Sequence, residues 1–129
     1  MDVKLKYIMA KLVIALSVER FVIELAHTMV KTNVSCVVAL KNNKPAGIVT
    51  ERDLAKLIVQ NKDPKTTTIG EVMTSPILTL SEDSTMLDAI DLFTTKRIRH
   101  VIVVRDGAAV GIVTETDIVR EQCLGRGDQ

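Results

Sequence analysis

Two short segments of this sequence place a threonine and an aspartate three residues apart, directly after an apolar run. Residues 47–53 are GIVTERD, and residues 111–117 are GIVTETD. Thr-x-x-Asp at a helix start is typical of a capping box, in which the two side chains satisfy free backbone amides. It is also typical of an anion site, because a helix N-terminus attracts phosphate and a nearby carboxylate accepts ribose hydroxyls. The motif alone leaves both interpretations open.

Residues around the two motifs add to the anion interpretation. Gly111 lacks a Cβ and would let the backbone approach a ligand closely. Arg52 falls in a first helical turn, where a cation is unfavourable unless an anion lies near it. Alternation along a strand turns Arg99 and His100 to opposite faces, so that one of them is expected to face the ligand. A solvated strand end explains this last pair equally well.

The composition excludes several classes of function. With 17 basic and 16 acidic residues, the chain is not expected to bind nucleic acid or an anionic membrane by general electrostatics. No nucleophile elbow, zinc-protease pair, Walker loop or dinucleotide fingerprint is present, so we expect no enzyme activity. Cys36 and Cys123 lack metal-ligand spacing, which predicts no metal site and two thiols in a reducing compartment.

The start of the chain does not resemble a membrane or export signal. The longest apolar stretch, residues 7–16, is interrupted by Lys11 and is too short to span a bilayer. Residues 1–2 lack the basic start of a signal peptide. The sequence therefore predicts a cytoplasmic protein.

The two motifs belong to a duplication of the whole chain. Gly47 aligns with Gly111 at an offset of 64 residues, and the alignment needs no gap from Leu5, opposite Ile69, onward. At several aligned positions where the two copies have different residues, an apolar residue still aligns with an apolar residue. Two units too small to cover their own hydrophobic surface are expected to share a core about an approximate two-fold axis.

Each copy predicts the element order β-α-β-β-α, which places its Thr-x-x-Asp motif where the last strand meets the last helix. In the second copy we expect an extended segment over 75–83, a helix capped by Asp83 or Ser84, and two strands joined by an Asp106–Gly107 turn. A last helix is expected from Thr114 to about Cys123, ended by Gly125 and Gly127. In the first copy we expect strands over 12–16, 36–40 and 46–49, and helices over 21–30 and from Thr50.

These patterns predict an α+β fold with three segments. Repeat 1 is expected over 1–62 and repeat 2 over 69–129. The polar, proline-containing stretch 63–68 is expected to be a linker.

This tandem unit resembles the CBS (cystathionine β-synthase) domain in its paired form, the Bateman module. The resemblance covers essentially the whole chain and rests on EVMTSPILTLSEDSTMLDAI, RIRHVIVVRDG and the duplicated GIVTERD and GIVTETD. It implies a free-standing pair of repeats packed sheet to sheet, without a fused effector domain.

The function that the resemblance implies is ligand sensing rather than catalysis. The ligand would be an adenine nucleotide, AMP, ADP or ATP, bound in clefts between the repeats, with no required cofactor. S-adenosylmethionine is an alternative ligand, and a structural or protein-interaction module without nucleotide is an alternative function. The resemblance also implies a homodimer that signals to an unidentified protein effector.

The family's binding residues transfer to matching positions of both copies. In one cleft, the resemblance assigns phosphate and ribose to Thr114 and Asp117, the phosphate surroundings to Thr116 and His100, and the base to Ile14, Val34 and Ser35. In the other, it assigns the polar part to Thr50, Arg52 and Asp53, and the base to Leu78, Ile98 and Arg99. Arg52 aligns with Thr116 in the other copy. We therefore expect the two clefts to bind ligand with unequal affinities, and the cleft that contains Arg52 to favour a ligand with more phosphate charge.

Overall fold

The computed structural model describes residues 3–11 and 13–124, so the predictions for Leu12, Gly125 and Gly127 fall outside the described residues. The elements, in chain order, are a 3₁₀ turn Leu5–Tyr7, β1 Ala15–Ser17, α1 Val22–Thr32, β2 Cys36–Lys41, β3 Lys44–Thr50, α2 Glu51–Val59, α3 Ile69–Val72, β4 Thr79–Ser81, α4 Met86–Lys96, β5 His100–Arg105, β6 Ala108–Thr114 and α5 Glu115–Leu124. The predicted α+β class and the β-α-β-β-α order are confirmed.

The strands form two sheets of the same design. In one, β1 runs parallel to β2 and β2 antiparallel to β3; β4, β5 and β6 repeat this order. The register sets Cys36 opposite Thr50 and His100 opposite Thr114. The start of the middle strand therefore lies beside the Thr-x-x-Asp motif in both sheets.

The predicted Asp106–Gly107 hairpin is confirmed. Asp106 and Gly107 have φ values of 52° and 80°, which belong to the left-handed region that aspartate and glycine tolerate. In the first copy Asn42 and Asn43 form the equivalent turn, with φ values of 52° and 63°. Each copy thus uses residues suited to a tight two-residue turn.

The predicted cap of the helix in the second copy is wrong by one or two residues. The helix begins at Met86, and its N-cap is Thr85 rather than Asp83 or Ser84. Thr85 closes a capping box with Asp88, whose Oδ2 accepts from Thr85 N at 2.9 Å. The carbonyl of Ser84 is instead used by Leu5, whose N–H donates to it at 2.8 Å.

The chain divides into two compact units that do not follow the repeat boundaries. One unit comprises residues 14–77, and the other comprises residues up to 13 together with those from 78 onward. We call them the 14–77 unit and the 78–129 unit. The predicted boundaries at 62 and 69 describe the duplicated sequence, whereas each compact unit takes its opening segment from the other copy.

Burial explains why residues up to 13 belong to the 78–129 unit. Leu5 is fully buried and belongs to the core cluster that contains Met86, Phe93 and Val101. Farther along, Ala10 and Ile112 exchange backbone hydrogen bonds at 2.9 and 3.0 Å. The segment is thus held by both core packing and backbone pairing.

The 14–77 unit contains the corresponding arrangement. Ile69 is fully buried and belongs to the core cluster that contains Leu25 and Met29. Ile48 and Thr74 exchange backbone hydrogen bonds at 3.0 and 2.8 Å. The predicted linker also packs here, because Thr67 O accepts from Val22 N at the start of α1. The stretch 63–68 therefore caps a helix in addition to connecting the repeats.

None of the helices in the described part of the chain combines the length and apolar content that a bilayer crossing requires.

Candidate functional site

The corner between β6 and α5 carries the Thr114-x-x-Asp117 motif as a complete capping box. Asp117 Oδ2 accepts from Thr114 N at 2.8 Å and from Thr114 Oγ1 at 3.0 Å, and Asp117 N donates to Thr114 Oγ1 at 3.2 Å. One carboxylate oxygen is therefore committed to starting the helix. We call this the α5 corner.

The corner between β3 and α2, the α2 corner, has the same carboxylate contacts, but without a hydrogen bond from the helix backbone to the Thr50 hydroxyl. Asp53 Oδ2 accepts from Thr50 N at 2.8 Å and from Thr50 Oγ1 at 3.3 Å. The capping interpretation of both motifs is thus confirmed. It accounts for only one oxygen of each carboxylate.

The second carboxylate oxygen has a different partner at each corner. Asp53 Oδ1 accepts from Thr74 Oγ1 at 3.2 Å, and Asp53 is only 7 % exposed. Asp117 Oδ1 instead accepts from Arg120, at 3.2 Å, whose side chain is 64 % exposed. Both carboxylates are largely buried, since the Asp117 side chain is only 13 % exposed, and the second partner of each is an exposed residue: a neutral hydroxyl at the α2 corner and a cationic guanidinium at the α5 corner.

The expectation that Gly111 admits a ligand is wrong, because protein atoms occupy the space beside it. A Cβ at Gly111 would overlap the side chain of Met9, and a Cβ at Gly47 would lie 2.7 Å from both Met73 Sδ and Thr74 O. Both glycines are buried. They are needed so that the opening segment can pack on the strand.

The strand that faces each corner differs between the copies. Cys36 lies opposite Thr50; burial, with a smaller contribution from the charge of Asp53, raises the pKa of its thiol to about 12. The thiol is therefore neutral at physiological pH. His100 takes the same place opposite Thr114.

Arg99 lies at the α5 corner. Its carbonyl accepts from Glu115 N at 3.3 Å, and its side chain is exposed. The resemblance assigns Arg99 to the site of Thr50, but its backbone contact is with the corner of its own unit. Its assignment to the other site stays a prediction.

The compact units divide the predicted site residues into two groups, one per unit. The 14–77 unit contains Ile14, Val34, Ser35, Thr50, Arg52 and Asp53, and the 78–129 unit contains Leu78, Ile98, Arg99, His100, Thr114, Thr116 and Asp117. The combination of residues from both groups into one site stays a prediction.

Several predicted base contacts also help to build the core of their own unit. Ile14 and Val34 are half-buried and pack against the cluster around Leu25, and Ile98 packs in the same way against the cluster around Met86. Their apolar surface is thus only partly available to a ligand.

The first helical turn at each corner is acidic. Glu51 and Asp53 lie in the first turn of α2, and Glu115 and Asp117 in the first turn of α5. Arg52 is exposed between Glu51 and Asp53. These carboxylates favour a cation at this place, so Arg52 does not by itself indicate a bound anion.

Sequence reasoning missed two residues that set the corners apart, Thr74 and Arg120. Thr74 belongs to the Met-Thr-x-Pro segment, and the alignment sets it opposite Ala10. The difference between Thr74 and Ala10 is visible in the aligned sequences. Its effect on Asp53 depends on which segment packs beside which strand, and the sequence does not show this. No group of three or more potential metal ligands occurs within the described residues.

Comparison with known proteins gives the family. The family model of the CBS domain matches residues 5–60 and again residues 69–123. The mitochondrial CBS domain-containing protein CBSX3 of Arabidopsis thaliana is 38 % identical over a 99-residue alignment that covers 72 % of this chain and 48 % of that protein. The chain spans about half the length of this relative and of others that it matches.

Two solved structures share the fold along nearly the whole chain. The CBS domain pair of protein MJ0100, in complex with 5′-methylthioadenosine and S-adenosyl-L-methionine, is 31 % identical, with a TM-score of 0.85 and all of both chains covered. A hexameric CBS-CP12 protein from bloom-forming cyanobacteria is 25 % identical, with a TM-score of 0.85 over 92 % of this chain and 67 % of that one. The duplicated motif, the two sheets and these matches together show that the chain belongs to the CBS domain family, as a tandem pair of CBS domains.

Proposed function

We propose that this chain is a regulatory module that binds an adenosine-containing ligand and catalyses no reaction of its own. The observation that carries the proposal is the similarity to the MJ0100 pair, which extends over all of both chains and whose structure holds two adenosine compounds. The two Thr-x-x-Asp corners give such a ligand a place to bind, since a carboxylate can accept both hydroxyls of a ribose.

The α5 corner is the main site in this proposal. Asp117 Oδ1 is engaged by Arg120, whose side chain is 64 % exposed and becomes hydrated by solvent when a ligand takes its place, while the Asp117 side chain is only 13 % exposed. A ribose hydroxyl can therefore replace Arg120 at little cost. At the α2 corner the ligand would have to displace Thr74 from the buried Asp53, which makes binding there weaker.

The charge of the α5 corner favours a ligand with few phosphates. Its first turn carries Glu115 and Asp117, and Thr116 stands where the α2 corner has Arg52. These two carboxylates repel the triphosphate of ATP, and Arg99 and Arg120 at the same corner offset part of that repulsion. Methylthioadenosine is neutral and S-adenosylmethionine carries a cationic sulfonium, so the carboxylates repel neither. We therefore propose tighter binding of methylthioadenosine and S-adenosylmethionine than of AMP, and of AMP than of ATP.

Calorimetric titration with these four compounds tests the proposal. We expect the two phosphate-free compounds to bind and Asp117→Asn to weaken their binding about tenfold or more, because the variant loses an ionised hydrogen-bond acceptor. Asp53→Asn is the matched control, since it makes the same change in an aligned capping box, and we expect a smaller effect on ligand binding. Equal losses in the two variants would contradict the assignment of the α5 corner.

Thermal unfolding supplies a second measurement. A ligand at 100 times its dissociation constant stabilises the folded state by about 2.7 kcal/mol, which raises the melting temperature by a few degrees. Failure of all four compounds to bind or to shift the melting temperature would overturn the proposed function.

The second candidate is a protein-interaction module that binds no small ligand. It is favoured by the capping boxes, in which Thr50 with Asp53 and Thr114 with Asp117 already satisfy helix ends within the protein. In that case Asp117→Asn would lower the stability of the free protein and change nothing in the titrations. The two measurements together distinguish the candidates.

Two further parts belong to the proposal. We propose that the module self-associates, supported by the hexameric assembly of the CBS-CP12 protein, and that ligand binding alters its contact with a protein effector in the cytoplasm.

A further inference from the structure

A shallow depression on the surface of the 78–129 unit combines apolar and cationic side chains. The half-buried Met9 and Val110 supply its apolar part, and Lys6, Lys11 and Arg105 supply its cationic part. All five residues belong to the same compact unit. We call this feature the basic depression.

Carboxylates near the basic depression neutralise only part of its positive charge. Lys4 and Lys6 share a single carboxylate, since their Nζ atoms lie 3.6 and 3.1 Å from Asp83 Oδ1. The ion pair of Arg105 is long, with 3.7 Å between its Nη1 and Glu82 Oε2. The three cations in these pairs keep much of their side-chain surface in solvent, so each can also bind an external carboxylate.

Lys11 adds a cation without a carboxylate of its own. No Asp or Glu in the described ranges 3–11 and 13–124 lies within ion-pair distance of it. It follows Ala10, which exchanges backbone hydrogen bonds with Ile112 and thereby fixes the end of the segment beside β6. The basic depression and its immediate surroundings therefore hold four cations against two carboxylates.

The duplication shows that a lysine is not needed to build this part of the fold. The alignment sets Gly70 opposite Lys6. Gly70 N donates to Val18 O at 3.0 Å, and Lys6 N donates to the aligned carbonyl of Glu82, also at 3.0 Å. A glycine thus makes the same backbone contact in the other copy, so the fold does not require the lysine side chain.

Positive charge is confined to one of the two aligned opening segments. Residues 3–11 contain three lysines, whereas the aligned residues 67–75 contain one glutamate and no lysine or arginine. The cation at the end of the middle strand is common to both copies, because Lys41 aligns with Arg105. Two copies of one fold that differ in this way indicate that the lysines serve binding rather than folding.

The chemistry of the basic depression fits an acidic peptide that has an apolar side chain. Glutamate or aspartate side chains can approach Lys6, Lys11 and Arg105. An apolar side chain between them can cover Met9 and Val110, which removes apolar surface from water.

Glu82 disfavours a ligand with evenly spaced negative charge. Its side chain also lines the depression and is 17 % exposed. A nucleic-acid backbone would bring one of its phosphates close to this carboxylate, whereas a peptide can place an uncharged residue there. The depression therefore favours a peptide over a nucleic acid.

We propose that the basic depression binds an acidic segment of a partner protein, in which acidic residues flank one apolar residue. This inference gives a chemistry to the effector contact proposed above. It does not require the chain to bind an adenosine compound.

Nuclear magnetic resonance titration of the isotope-labelled chain with the synthetic peptide EELEE, blocked at both ends, tests the inference. We expect amide shifts mainly at residues 3–11, 82–83 and 105–110. We expect the dissociation constant to rise about tenfold or more between about 0.05 M and about 0.5 M salt. The matched peptides QQLQQ and EESEE lack the charge and the apolar side chain respectively, and each should bind at least about threefold more weakly.

Variants of the chain locate the contact. Lys11→Gln and Arg105→Gln each remove one cation, and we expect each to raise the dissociation constant for EELEE about threefold to tenfold. Lys41→Gln is the matched control, since it removes the aligned cation at the end of β2, and we expect it to leave peptide binding unchanged. Melting curves of all variants confirm that they fold.

Several outcomes would overturn the inference. A wild-type chain that shows no amide shifts with millimolar EELEE does not bind such a segment. Equal effects of Arg105→Gln and Lys41→Gln would place the contact elsewhere, and equal binding of EELEE and QQLQQ would exclude a role for charge. Tighter binding of an oligothymidylate of the same charge would indicate a nucleic-acid surface instead. Titration with methylthioadenosine is a separate measurement, so failure here is distinguishable from failure of the proposed function.

Discussion

Thr74 Oγ1 donates a hydrogen bond to Asp53 Oδ1 at 3.2 Å, whereas Ala10, at the aligned position in the first copy, has no hydroxyl to offer Asp117. Two corners with the same motif therefore differ in how firmly the protein holds the carboxylate. The difference comes from the segment that packs beside each corner and not from the motif itself.

Exchanging this hydroxyl should change ligand binding in opposite directions at the two corners. Ala10→Thr supplies Asp117 with a competing donor, so we expect the dissociation constant for methylthioadenosine to rise about threefold to tenfold, as for one net hydrogen bond. Thr74→Ala should make the α2 corner more accessible and strengthen any second binding event. Calorimetric titration measures both effects.

Ala10→Val is the control for this exchange, because it adds a side chain of similar shape without the hydroxyl. If Ala10→Val weakens binding as much as Ala10→Thr, steric hindrance rather than competition for Asp117 is responsible.

Gly111→Ala should destabilise the 78–129 unit, because the new Cβ would overlap Met9. Overpacking of this kind costs about 1–3 kcal/mol, and Met9→Ala in the same chain should recover part of the loss. Urea denaturation of the two single variants and the double variant measures the coupling. Gly107→Ala, where nothing lies within 4 Å, isolates the cost of backbone strain at positive φ. Additive effects of the Gly111 and Met9 changes would contradict the packing role.

Leu5→Ala should lower stability by about 2–5 kcal/mol, as expected for truncation of a buried leucine. The physical reason is that Leu5, although it begins the first copy, is fully buried in the cluster with Met86 and Phe93. Tyr7→Ala, at an exposed site two residues later, should cost at most about 1 kcal/mol through its contact with Lys6. Equal costs in chemical denaturation would show that the opening segment does not belong to this core.

The two cysteines should differ sharply towards thiol reagents. Cys36 is buried and the pKa of its thiol is raised to about 12, so at pH 8 only about one molecule in ten thousand carries the reactive thiolate there. Cys123 is exposed. We expect a colorimetric thiol reagent to modify one cysteine per native wild-type chain rapidly. In the Cys123→Ser variant we expect no rapid modification. Rapid modification of that variant would contradict the burial of Cys36.

The same raised pKa predicts how stability depends on pH. Above about pH 9 the unfolded chain loses the Cys36 proton while the folded chain keeps it, so this group's contribution to stability falls until the pH reaches about 12. Chemical denaturation of the wild type and of Cys36→Ala between pH 8 and 10 should show a steeper decline in the wild type. Parallel curves would contradict the prediction.

Local features of the fold were predictable because their signals lie within a few residues. The Asp106–Gly107 turn depends on two residues that tolerate positive φ, and each capping box depends on side chains three positions apart. The cap of α4 was predicted less accurately, since Asp83, Ser84 and Thr85 are all suitable by type. The choice of Thr85 involves the hydrogen bond from Leu5 to Ser84, which links distant parts of the chain.

The sequence by itself determined the duplication and the order of strands and helices, because periodicity and turn residues are local properties. It offered capping as one of two roles for both Thr-x-x-Asp motifs. Only the tertiary structure decided that Met9 fills the space beside Gly111 and that Thr74, 21 residues away in sequence, holds Asp53. The physical reason is that burial and shape choose the partner of a segment from the whole chain. A pattern of residue types does not specify that partner.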